Sequence, residues 1–351
     1  MRANRISRAE KAISTSQVTS SRGFEKELAE LEALKGAAAD GALIERLRKA
    51  LAHRNNFLVA KAAKLVADGE IAALLPEVLG AFDRFFIDAE KSDPQCWAKN
   101  ALVKTLVKLE HRSKDAYLRG LRHHQLEGTW GGASDTAGAL RGACAHALVD
   151  CPGISDAELL GALLDALTDQ DKTVRAEGAR AIARVGGVSA ALLLRLRAMI
   201  GQDEPEVLGA VYSSLLAVEG GAAIPLVAKA LEEGGDTAAE AAFALSEMRS
   251  AEALGALLAR LREGTDAWFG SVLLSAIALT RLPEAMDFLI AKIAGDAREA
   301  VDVIEAIGRI AASAELRARV EKAVEQADSL RLRQAFQKHL PPISEGCDLP
   351  R

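Results

Sequence analysis

Apolar residues recur at helical steps along nearly the whole chain. The rhythm begins near Phe24, where Leu28, Leu31 and Leu34 follow at spacings of four and three. In the C-terminal half it forms segments that can be laid over one another: Ala179–Gly186, Ser213–Gly220, Ala242–Arg249, Ser275–Leu282 and Ile304–Ala311. Their successive starts lie 34, 29, 33 and 29 residues apart. Each is followed by a short turn and a second leucine-rich stretch, at Leu192–Met199, Ile224–Leu231, Leu254–Leu261, Met286–Ile293 and Leu316–Val324. A period of about 31 residues with two helices in each predicts stacked antiparallel helix pairs, an α-solenoid. Glycine pairs at Gly186-Gly187, Gly220-Gly221 and Gly234-Gly235 interrupt the helices and exclude a coiled coil.

The same unit recurs toward the N-terminus at Asn56–Ala67, Pro94–Leu109 and Thr136–Val149, with longer periods of about 40 residues. Phe24–Leu51 and Leu330–Leu340 are expected to cap the array, because each repeat leaves an apolar face that only a neighbour covers. Alanines on the first helix of each pair let helix axes approach closely. In one unit Asp171 is placed to cap a helix, Val174 to enter the core and Arg175 to bridge to a neighbouring repeat, followed by Ala176, Ala179 and Ile182.

That arrangement resembles the HEAT repeat of the armadillo-type superfamily, especially the short-period type of the phycobilisome lyases. The resemblance covers roughly residues 53–340 and is weaker beyond the Asp171 unit. Glu206-Val207 keeps half of the signature, and the units near Asp236 and Asp266 have lost the arginine. It implies one all-α, right-handed solenoid of about eight helix pairs over residues 23–340. Residues 1–22 are expected to form a disordered basic segment, and residues 341–351 a tail.

Composition narrows the function. Aromatics are 4% of residues while apolar residues reach 50%, which suits helix-on-helix packing and argues against β-sandwiches and barrels. Lys+Arg 44 against Asp+Glu 49 leaves −5, so a general nucleic-acid or membrane-surface role is not expected. Residues 203–328 hold 22 acidic and 11 basic side chains, so the two halves differ in charge. That split reads as solvated helix faces or as a dock for a basic partner. No uncharged stretch approaches the ~20 apolar residues of a membrane span. Four cysteines in a chain this long make no disulfide framework, and a cytoplasmic protein is expected. In residues 1–22, Arg2, Arg5, Arg8, Lys11 and Arg22 face only Glu10 among serines and threonines, without the apolar core of a secretory signal.

One region breaks the monotony. Between Asp93 and Cys151 lie Cys96, Cys144, Cys151, Trp97, Trp130, His111, His123, His124 and His146. Among them runs Gln125-Leu-Glu-Gly-Thr-Trp-Gly-Gly-Ala-Ser-Asp135, longer than the turns elsewhere. A solenoid places recognition residues on such a loop. Trp130 either stacks on a partner or plugs a groove between helix pairs. Trp97 and Trp268 read as core, the latter in the place of Val174. Ser134 or Asp135 reads as a helix cap, with phosphate cradling by Gly131 and Gly132 as the weaker alternative. His123 and His124 point about 100° apart on a helix and cannot share an ion. Cys144 and Cys151 read as a buried stripe, and no Cys-x-x-Cys or His-Glu-x-x-His spacing occurs. No metal and no cofactor are expected. Nor does the chain carry the His-Glu dipeptides of the HEAT-type deoxyhypusine hydroxylases.

The expected function is a non-catalytic scaffold or adaptor that binds another protein. In HEAT proteins second helices line the concave surface, so the resemblance offers Tyr117, Arg119, Arg122, His123 and His124 as contacts beside the loop. Trp130, Asp135 and Arg141 complete the candidate set. Two other readings stay open. One is a lyase-like enzyme or chaperone acting on a protein-bound cofactor. The other is a nucleic-acid-binding solenoid like the HEAT-type DNA glycosylases, against which the mixed charge of this region argues.

Overall fold

The computed structural model describes residues 24–36, 40–295, 297–310 and 312–341. The basic segment 1–22, and all but the first residue of the tail 341–351, lie outside them. The described residues are helical almost throughout, and the chain separates into two compact units, Met1–Ala181 and Ile182–Arg351.

The first unit opens with α1 (24–32), α2 (Gly41–Leu51) and α3 (Asn56–Asp68). A single turn of 3₁₀ helix, Ala72–Leu74, leads into α4 (Leu75–Arg84). The short α5 (Ala89–Ser92) and a second such turn, Pro94–Cys96, precede α6 (Trp97–Lys108) and α7 (Lys114–Leu121). After a β-hairpin come α8 (Gly138–Val149), α9 (Asp156–Leu167) and α10 (Lys172–Val185), within which the boundary of the units falls. Helix α6 packs on α3, α4 and α8, and α8 packs on α7 and α9. Local signals set the starts. Asn55 accepts from the Phe57 and Leu58 amides, and Ser155 forms a reciprocal capping box with Glu158.

The second unit holds α11 (Gly187–Ile200), α12 (Pro205–Glu219), α13 (Ile224–Ala230), α14 (Gly235–Glu247) and α15 (Ala251–Arg262). It continues with α16 (Ala267–Thr280), α17 (Pro283–Ala294), α18 (Ala300–Arg309), α19 (Ala314–Ala327) and α20 (Leu330–His339). Both segments of every repeat aligned in the sequence overlap a helix, the first ones running a residue or two past the helix end. Helices α12, α14, α16, α18 and α20 each touch the next, while α13 meets α15 and α17 meets α19. Small residues permit the contact: α14 buries Ala238, Ala239, Ala241, Ala242 and Ala244, and a Cβ on Gly308 would sit 2.5 Å from the His339 carbonyl oxygen.

Three expectations are corrected. The segment after α7 is not an irregular loop but antiparallel β1 (Leu126–Thr129) and β2 (Gly132–Asp135). Trp97 is half-exposed at the first position of α6 rather than core. Trp268 is also half-exposed, and its neighbour Phe269 is buried instead. Asp266 caps α16 through the Phe269 amide, and Asp171 immediately precedes α10. Counting three residues on from each aspartate equates Phe269, not Trp268, with Val174, because the third helical position faces the core. Among the described residues one helical run, Pro205–Ala230, is long and apolar enough to cross a membrane. It carries Glu206, Glu219 and Lys229, is broken at Gly220, and is mostly buried within the protein.

A candidate interaction site at the hairpin

The hairpin turns through Trp130-Gly131, with Gly131 at φ +97, a value that side-chain-bearing residues rarely adopt. Leu126 pairs with Asp135 and Thr129 with Gly132, and the Thr136 amide extends the ladder to the Gln125 carbonyl at 2.9 Å. Two strands of four residues do not hold themselves together in water. The stability of this pair therefore comes from its root.

Asp135 and Arg141 form one half of the root. Asp135 Oδ1 accepts from the Gln125 and Ala137 amides, each at 3.0 Å, and its Oδ2 accepts from Arg141 at 2.8 Å and lies 2.9 Å from His124 Nδ1. Arg141 is fully buried. Its Nε and second terminal nitrogen grip both oxygens of Asp169 at 2.7 and 3.0 Å, and the remaining nitrogen also donates to the His123 carbonyl. A planar guanidinium suits this fork-on-fork contact, which ties the hairpin to the turn before α10. Burial works to raise the Asp135 pKa, but the Ala137 and Gln125 amides, His124 and Arg141 outweigh it and hold it at about 2.

Glu127 and Asp93 form the other half. Glu127 Oε1 accepts from the Gln95 amide, the Gln125 side chain and the Thr136 hydroxyl at 2.6, 2.6 and 2.9 Å. Burial pushes its pKa up, but these donors and nearby Lys99 win and lower it. Gln125 also donates to the Asp93 carbonyl, and its own oxygen accepts from Cys96. Asp93 and Lys99 are completely buried with their charges 3.1 Å apart. Asp93 also accepts from Asn56 and from the Ala98 and Lys99 amides, and the Lys99 ammonium donates to the Phe85 carbonyl. Here Gln95 and Cys96 adopt successive left-handed conformations, φ 58 and 54, which cost ~1–3 kcal/mol each. The hydrogen bonds about them over-determine that path.

The structure sorts the candidate residues. Trp130 is wholly in solvent, at 108% of its reference exposure, so it plugs no groove. His124 is exposed, as are Arg119, bridged to Asp83 at 2.6 Å, and Arg122, 3.7 Å from Asp165. His123 is half-buried against the Phe86 ring and Gln125, and burial lowers its pKa. Tyr117 is no surface contact: it is buried, its hydroxyl donates to the His111 carbonyl at 2.6 Å, and burial raises its pKa. Arg141, likewise buried, is an anchor rather than a contact. Asp135 does not act as a simple helix cap but as the hub of the root.

Sequence reasoning missed Asp93, Lys99, Gln125, Glu127 and Asp169 as a cluster, and the exposed pair of Phe57 and Trp97. Those rings lie 4.9 Å apart, and the Trp97 indole donates to Gln95, whose amide is bound to the hairpin's Glu127. The Asp93-Pro94 helix start is the only local signal of the cluster. Cys96, Cys144 and Cys151 are buried, which raises each thiol pKa, Cys96 to about 11. Little thiolate exists there at neutral pH. Among the described residues no three His, Cys, Asp or Glu side chains are grouped to hold a metal. No protein-family model matches the chain, and no curated protein does.

Proposed function

We propose that this chain is a HEAT-like α-solenoid protein that binds another protein, with the hairpin as its recognition element. The repeat period and the row of touching first helices in the second unit support the architecture. The observation that carries the function is the contrast within the hairpin. Its root is fixed by buried charges, while the tip presents a fully exposed tryptophan. An exposed indole stabilises nothing in the isolated fold, yet on a rigid support it makes a good anchor for a partner's pocket. The half-exposed Trp97 and Phe57 and the exposed Arg119, Arg122 and His124 are further contact candidates.

Trp130→Ala tests the reading. Proteins co-purifying with the tagged chain are expected to be lost in this variant, while thermal stability changes by no more than ~0.5 kcal/mol. A partner retained by the variant would move the binding surface elsewhere. A large loss of stability would make Trp130 structural.

A further inference from the structure

Helix α11 differs from the later second helices on its outer face. The exposed outer positions of α15 are Glu252, Gly255, Ala259 and Arg262, those of α17 include Glu284, Asp287 and Ala291, and those of α19 Glu315, Ala318 and Arg319. On α11 the large exposed side chains are Val188 (78%), Leu192 (60%), Leu196 (58%) and Met199 (71%), with Ile200 at the edge and the small, uncharged Ser189 beside them. Spacings of four, four and three set them on one stripe ~16 Å long. They are not this helix's share of the core, since Ala190, Leu194 and Ala198 are buried and the helix packs on α12.

We infer that the outer face of α11 is a homodimer interface, covered by the same stripe of a second copy of this chain. The five side chains present on the order of 500 Å² of apolar surface, as large as the largest patch on most monomers. A two-fold pairing buries that area twice, about 1,000 Å² in total, which reaches the size of a small specific interface. Charge fits a two-fold axis as well. Such an axis brings like charges together, and the stripe itself has none. The helix's two arginines are already neutralised within their own chain, Arg195 by Glu219 and Arg197 by Asp203. Leu192 and Leu196 flank the middle of the stripe and so lie nearest the axis.

Sedimentation equilibrium of the full chain between about 1 and 100 µM is expected to show a reversible monomer–dimer equilibrium, the affinity range for an interface this small. The double variant Leu192→Glu, Leu196→Glu places four carboxylates at the axis and is expected to weaken association more than ~100-fold. Its circular dichroism should match the parent, because both side chains are exposed. A second variant, Leu196→Cys with Cys347→Ser, is expected to form an intermolecular disulfide under mild oxidation that Cys347→Ser alone does not form, since the other three cysteines are buried. It decides the matter if the glutamate variant loses helicity. A parent that stays monomeric overturns the inference and leaves the face to a different partner. So does a dimer that the glutamates do not weaken, or a Leu196→Cys chain that fails to cross-link.

Discussion

Among the described residues, the first unit buries Asn56, Asp93, Lys99, Thr105, Gln125 and Arg141, whereas the buried polar residues of the second are Ser214, Ser246, Ser275 and Thr280. The difference is one of reach. Arg141 grips Asp169, 28 residues away, and Asn56 donates to Asp93 across 37. Ser246 and Thr280 instead donate to carbonyls three residues back in their own helices, at 2.6 and 2.7 Å. A hydroxyl satisfied by its own turn lets a small residue sit in a helix interface and specifies nothing further. A buried charge satisfied from a distant segment fixes where that segment lies, because any other arrangement leaves it unpaired. In the regular stack Ser246 and Thr280 use the first device, and longer reach is left to arginines that are not fully buried, Arg260 to the Leu231 carbonyl and Arg281 to that of Ile310. The hairpin, which has no core of its own, needs the second.

The comparison breaks most readily at Asp93. Asp93→Ala leaves the Lys99 ammonium buried with only the Phe85 carbonyl and the face of the Phe86 ring, and removes the shorter acceptor of Asn56 and the acceptors of two amides of α6. We expect a loss on the order of 3–5 kcal/mol. Thermal unfolding followed by circular dichroism should show a Tm lower by ~10 °C. A loss below ~1 kcal/mol would mean that water reaches Lys99, and the contrast between the units would fail.

The same division explains what can be read from the sequence. The helix pairs of the second unit follow from local signals, period and glycine turns, and each aligned segment overlaps a helix. The position of the hairpin loop and the exposure of Trp130 as one of two options are also legible. Its strands are not: Leu126-Glu-Gly-Thr129 and Gly132-Ala-Ser-Asp135 show neither apolar alternation nor β-branched residues beyond Thr129. They exist because Asp135, Glu127 and Gln125 find partners in Arg141 of α8, in Asp93, Gln95 and Cys96 just before α6, and in Thr136 and Ala137 just before α8. Trp97 and Trp268 escape a reading that assigns a bulky aromatic to the core by type. Both occupy the first turn of a helix, where one step around the axis separates core from solvent.

Acid tests one anchor of the root directly. The folded pKa of Asp135, about 2, lies below its ordinary value of 3.8. The associated stability is therefore fully present above pH 3.8 and is lost as pH falls through about 2. The shift corresponds to about 2 kcal/mol, somewhat less because the side chain is one-fifth exposed. In urea unfolding, the stability difference between the parent and Asp135→Asn should shrink over that interval. A difference independent of pH would show that the carboxylate's charge contributes nothing to holding the hairpin.

The smallest effect is expected in the second unit, and its smallness is informative. Ser246→Ala removes one hydroxyl donor, but the Phe243 carbonyl it contacts lies inside α14 and keeps its helical hydrogen bond. No buried group is left unsatisfied, and alanine is the better helix former. The two terms oppose each other, so the urea midpoint should move by an amount equivalent to no more than ~0.5 kcal/mol. A loss of ~2 kcal/mol or more would place Ser246 in a non-local network like that of the first unit. The division would then lie between buried polar groups of any kind and apolar packing, not between local and long-range satisfaction.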